Sequence, residues 1–141
     1  MTRDIERELR ELADREAIRE LAVRYAHCVW TKDIAALAAL FSEDGEMDTG
    51  NGPPLRGPAA IRDAYGHAFA ADEYYPFIHN QVIEVDGDEA RGRCYLDLRA
   101  VANGTPMMGF GMYDDRYVRT ADGWRFRSRT LTLQEFHPET R

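Results

Sequence analysis

Apolar residues fall into two rhythms along this chain, a helical one in the first half and an alternating one in the second. From Asp4 to about Trp30, Ile5, Leu9, Leu12, Ile18, Leu21, Tyr25 and Val29 recur at three- and four-residue steps, the period of an amphipathic helix. Asp14 interrupts the run and reads as an N-cap. The pattern therefore predicts a short helix near 4–13 and a longer one at about 15–31 that turns Tyr25, Cys28 and Val29 toward the core. Asp33 caps a further helical run, IAALAALF, which stops before Ser42-Glu43-Asp44-Gly45. Glu46–Thr49 is a short strand candidate, and the glycines and prolines of GNGPPLRG make that segment a loop. Pro58, at a first helical position where its missing N–H costs nothing, opens a third helix at about 58–71 with Ile61, Ala64, Tyr65 and Phe69 on one face.

The second half changes period. PFIHNQVIEVDGDEARGRCYLDLR, residues 76–99, reads as two long strands joined at Asp86-Gly87-Asp88, because an Asp-Gly pair supplies the positive φ of a tight hairpin turn. Asn103-Gly104 and Ala121-Asp122-Gly123 mark two further turns, which makes a four-stranded antiparallel meander out of everything after Pro76. Helices first and strands last is an α+β pattern, and a curved sheet wrapped around the long helix would enclose a cone. Gly109 and Gly111 within the third long strand mark a bend or a close backbone approach.

One domain with a single core is expected from 141 residues that are 44% hydrophobic. The net charge of −7 provides no basic field, which argues against nucleic acid and against an anionic membrane as partners. No apolar run approaches a membrane span, and MTRDIERELR is too charged for a signal peptide, so a cytoplasmic location is expected. Cys28 and Cys94 match neither a disulfide framework nor a metal spacing and read as buried thiols. His27, His67, His79 and His137 show no ligand spacing, and neither a metal nor a cofactor is expected. Strict alternation places Phe77, His79, Gln81, Ile83 and Val85 on one strand face, so His79 is either a satisfied core histidine or the one polar group of an apolar pocket. Asp97, between Leu96 and Leu98, faces away from that side.

Three segments carry a resemblance. REAIRELAVRYAHCVWTKDIAALAALFSEDGEMD, the histidine before VDGDEARG, and YDDRYVRTADGWRFRSR resemble the SnoaL-like branch of the nuclear-transport-factor-2-like superfamily from about Glu16 to Arg129. The resemblance implies a cone-shaped curved sheet around a long helix, and a homodimer or higher homo-oligomer. It also implies chemistry akin to scytalone dehydratase, bile-acid 7α-dehydratase and hexachlorocyclohexane dehydrochlorinase. In such enzymes a histidine on the strand after the third helix abstracts a proton, and an aspartate near the end of the long helix orients it. His79 falls on that histidine, Tyr25 on a pocket-lining tyrosine, and Trp30 on the aspartate. Asp48 and Asp33 are the candidate substitute carboxylates.

These readings converge on a small cofactor-independent lyase, isomerase or cyclase acting on a hydrophobic cyclic or polyketide-like molecule. His79 would be the general base and Tyr25 a hydrogen-bond donor, with Trp30, Phe69, Phe77, Leu96, Phe110 and Met112 lining one apolar cavity. With Trp30 in the aspartate's place, the alternative is a small-molecule-binding or dimeric interaction protein without catalysis. Dimerisation is expected across the open face of the sheet, read as carrying Tyr95, Tyr113, Tyr117 and Leu131.

Overall fold

A computed structural model of the chain describes residues 4–139. Asp4 caps the first helix through its carboxylate, which accepts from the Arg7 amide, and α1 then runs unbroken over Ile5–Thr31. It ends where Lys32 enters the left-handed region at φ 57° and Asp33 N–H reaches back to Cys28 C=O. Asp33 caps α2 (Ile34–Ala38) as its position foretold, although that helix stops earlier than the alanine run does. The strand β1 (Phe41–Asp48) begins within the supposed helical segment, β2 is the dipeptide Leu55–Arg56, and α3 occupies Pro58–Ala71. Four long strands complete the chain: β3 (Glu73–Asp86), β4 (Glu89–Ala102), β5 (Thr105–Thr120) and β6 (Gly123–Pro138).

The expected meander forms, with sheet order β2-β1-β6-β5-β4-β3. β1 joins β6 in parallel, so the sheet is mixed, and its architecture is α+β. Gly87 at φ 64° makes the first hairpin turn, and Asn103 and Gly104, at φ 52° and 77°, make the second with both central residues in the left-handed region. The glycines of β5 answer a close approach. A Cβ on Gly109 or Gly111 would lie 2.0 Å from the Glu135 or Thr132 carbonyl oxygen of β6, beside a register shift between Phe110 and Gly111.

Helix α1 buries Ile18, Leu21, Ala22, Tyr25, Cys28 and Val29 against the sheet, and α3 adds Ile61, Tyr65 and Phe69. Asp14 does not break this helix. It is buried within it, accepting two hydrogen bonds from the Arg119 guanidinium at 2.9 and 2.8 Å and one from the Trp124 indole at 3.0 Å. The same guanidinium bonds Asp88 and lies over the Trp124 ring, which ties the helix to the β3–β4 and β5–β6 turns. No helix among the described residues is long and apolar enough to cross a membrane.

The Arg119 guanidinium holds the Asp14 carboxyl below the usual carboxylate range. A depressed folded pKa stabilises the fold above the unfolded value, near 4, and that contribution disappears as pH falls through the folded value. Asp14→Asn is expected to lower stability at pH 7 by about 2 kcal/mol in urea titrations. The gap from the native chain should narrow as the pH is taken below about 4.

Candidate active site

The site begins with an irregularity in β3. Ile78 pairs with Leu96 and Gln81 pairs with Cys94, so two residues, His79 and Asn80, stand opposite Tyr95 alone. This bulge reverses the alternation. Pro76 and Ile78 before it, and Gln81, Ile83 and Val85 after it, face the helix, whereas Phe77 and His79 face outward. The face assigned to His79 from strict alternation is therefore corrected. His79 lies on the outer face, its side chain 51% exposed, and its Nε2 is 2.7 Å from Asp97 Oδ2. Asp97 faces away from the core as expected, and His79 faces away with it. A carboxylate only accepts, so Nε2 carries the hydrogen, and in the neutral imidazole Nδ1 keeps the lone pair.

Cross-strand register places Asp97 between Phe77 on β3 and Phe110 on β5. These rings are 46% and 45% exposed and flank the His79–Asp97 couple with apolar surface. Trp30 borders the same patch rather than filling the hollow of the sheet. Its indole N–H donates to the Pro76 carbonyl at 2.8 Å, satisfying an acceptor on the edge strand, and its ring meets Tyr75 and Phe77 at centroid distances of 4.7 and 5.3 Å. Met112 is half-buried next to Tyr95.

The other nominated residues lie elsewhere. Phe69 and Leu96 are buried on the inner side, so the expected lining residues are divided between two faces and do not enclose one cavity. Tyr25 is also inside, where its hydroxyl and that of Tyr65 are 2.5 Å apart. Burial pushes both phenols well above their ordinary range. Asp33 is occupied as the α2 cap, and Asp48 accepts from the Gly50 amide in a turn. The carboxylate beside His79 is Asp97.

The hollow itself is filled around a buried charge. Arg129 is fully buried, donates to both Asp115 carboxylate oxygens, and stacks over Tyr113, Tyr25 and Phe126 at 3.6, 4.4 and 4.6 Å. Tyr117 O–H adds a third bond to Asp115 and accepts one from the Gln81 amide. Burial opposes the Arg129 charge, but the Asp115 carboxylate outweighs it and holds the guanidinium protonated. Among the described residues, Arg129 Nη1 is the one buried side-chain nitrogen or oxygen without a hydrogen-bond partner. Tyr113 and Tyr117, assigned from sequence to the open face, belong to this interior. Leu131, half-buried, also packs against it.

A long helix in a curved mixed sheet, with a histidine on the strand after α3, defines the class. The chain belongs to the SnoaL-like domain family, whose pattern matches residues 10–130. It is similar to the uncharacterized protein Rv2910c of Mycobacterium tuberculosis, 27% identical over 132 residues covering 86% of each chain. It is also similar to an NTF2-like protein with a cystatin-like fold from Novosphingobium aromaticivorans, 31% identical with a TM-score of 0.83 over 94% of this chain and 89% of that one. The hexachlorocyclohexane dehydrochlorinase LinA-type3 of Novosphingobium barchaimii shares the fold at a TM-score of 0.88 and 20% identity, with 94% of each chain covered.

Removing one member of a buried ion pair leaves the other uncompensated, whereas apolar replacement of both does not. Asp115→Asn is expected to cost about 3–5 kcal/mol in chemical denaturation. The Asp115→Leu/Arg129→Met pair should recover most of that loss, and protease resistance reports both variants if the single one does not purify.

Proposed function

We propose that this chain is a cofactor-independent lyase or isomerase of the dehydratase type. In this reading the His79–Asp97 couple abstracts a proton from a hydrophobic cyclic molecule. The observation that carries it is the 2.7 Å pair set between the exposed rings of Phe77 and Phe110. Asp97 holds the Nε2–H tautomer and stabilises the imidazolium, so Nδ1 takes the proton from a carbon next to an activating group. In a lyase the electron pair of the broken C–H bond forms the double bond as the leaving group departs from the neighbouring carbon. The imidazolium then returns its proton to the departing hydroxyl or to solvent. Phe77, Phe110 and Trp30 bind the substrate's apolar body, and the likeness in fold to a dehydrochlorinase supports the same class of chemistry. Tyr25, behind the sheet, serves the core in this mechanism.

A second reading is a non-catalytic binding or dimeric interaction protein. It is favoured by the packed interior around Arg129 and by the exposure of Phe77, Phe110 and Val82 on one face. Sedimentation equilibrium at micromolar concentration tests the dimer.

The catalytic reading is tested by hydrogen–deuterium exchange at carbon, followed by NMR, with cyclic β-hydroxy ketones and cyclic diketones. The native chain is expected to accelerate exchange or elimination, and His79→Gln to reduce the rate by about 10²–10⁴-fold. Full retention of rate in His79→Gln would exclude histidine-base catalysis.

A further inference from the structure

A second feature of the outer face lies toward the β3–β4 turn, away from the His79–Asp97 couple. It is a groove of about 420 Å³ across β3, β4, β5 and β6, within the size range of small-molecule sites. Three arginines line it. Arg91 is paired with Glu84 at 2.9 Å and Arg93 with Asp114 at 2.8 Å, while Arg116 has no acidic partner among the described residues. Cross-strand register sets Arg116 directly opposite Arg91. Like charges at such positions are destabilising, and here they occur in a chain whose net charge is −7. The hydroxyl residues Ser128 and Thr130 line the groove on β6, and the exposed side chain of Val82 supplies an apolar wall on β3.

We infer that this groove is a binding site for a ring-sized organic carboxylate, held by the Arg116 guanidinium with Ser128 and Thr130 and packed against Val82. The charges favour an anion: of the carboxylates at the groove, Glu84 is paired with Arg91, Asp114 with Arg93 and Asp115 with the buried Arg129, which leaves Arg116, whose planar donor fork matches a carboxylate. The volume exceeds what a bare inorganic anion occupies, and Val82 offers such an ion nothing. Anion binding also relieves the opposition of Arg91 and Arg116, so ligand and fold stabilise one another.

Titration calorimetry with phthalate as probe tests this, with benzamide as the neutral ring and inorganic phosphate as the ringless anion. Phthalate is expected to bind more tightly than either and to weaken as salt is raised. Arg116→Gln should reduce its affinity about tenfold or more, while Arg7→Gln, in the exposed Arg7–Glu11 pair of α1 on the other side of the sheet, should leave it unchanged. Without ligand at low salt, Arg116→Gln should raise the melting temperature, because it removes the like-charge pair. Equal binding of benzamide or phosphate, unchanged phthalate affinity in Arg116→Gln, no phthalate binding, or a lower melting temperature in that variant would each overturn the inference. So would a self-associated chain that Arg116→Gln dissociates, since Arg116 would then serve a second copy.

Discussion

The fully buried Arg129–Asp115 pair determines how the hollow of the sheet can be used. A guanidinium out of water needs a counter-charge, donors directed at acceptors, and polarisable surface over its faces. Asp115 supplies the counter-charge and accepts from Nε and Nη2, leaving Nη1 without a partner, and the rings of Tyr25, Tyr113 and Phe126 cover the guanidinium. Tyr117, two residues along the same strand, donates a further bond to the carboxylate and accepts one from the Gln81 amide of β3. Tyr25, Tyr113, Tyr117 and Phe126 belong to the core between α1 and the sheet. Removing Asp115 or Arg129 leaves the other charge buried without its counter-charge.

The bulge at His79–Asn80 is what carries His79 to the outer face. One extra residue in the edge strand inverts every side chain beyond it, so Gln81 and Ile83 serve the core while Phe77 and His79 join Asp97 outside. Trp30 closes the arrangement from the helix side. Its indole satisfies a carbonyl of the edge strand and braces Phe77, which places the C-terminal end of α1 beside the couple. Helix, bulge and meander thus act together in positioning the His79–Asp97 pair.

Much of the fold is legible in local signals. Asp-Gly and Asn-Gly turns set both early hairpins, Pro58 sets the start of α3, and Asp33 sets the start of α2, because each acts within a few residues of itself. Asp14 reads wrongly as a cap because its partners Arg119 and Trp124 are over a hundred positions away, so a local role looks adequate. The bulge is hidden for a similar reason: alternation within β3 says nothing about the register of its neighbour, and only pairing with β4 reveals the extra residue. Tyr113, Asp115 and Tyr117 alternate on one face of β5, and the hairpin register sets Asp115 opposite Arg129. That pairing could identify both as interior, but two charges in a segment rich in arginine read more simply as surface.

The central claim is that His79 and Asp97 act as one unit on the outer face. A double-mutant cycle on the rate of carbon deprotonation, using His79→Gln, Asp97→Asn and both together, addresses it directly. If Asp97 works only by orienting and charging the imidazole, its replacement slows the native enzyme yet has little further effect once His79 is gone, so the double variant matches His79→Gln. Rate losses that multiply across the two sites, or an Asp97→Asn enzyme as fast as the native one, would contradict it.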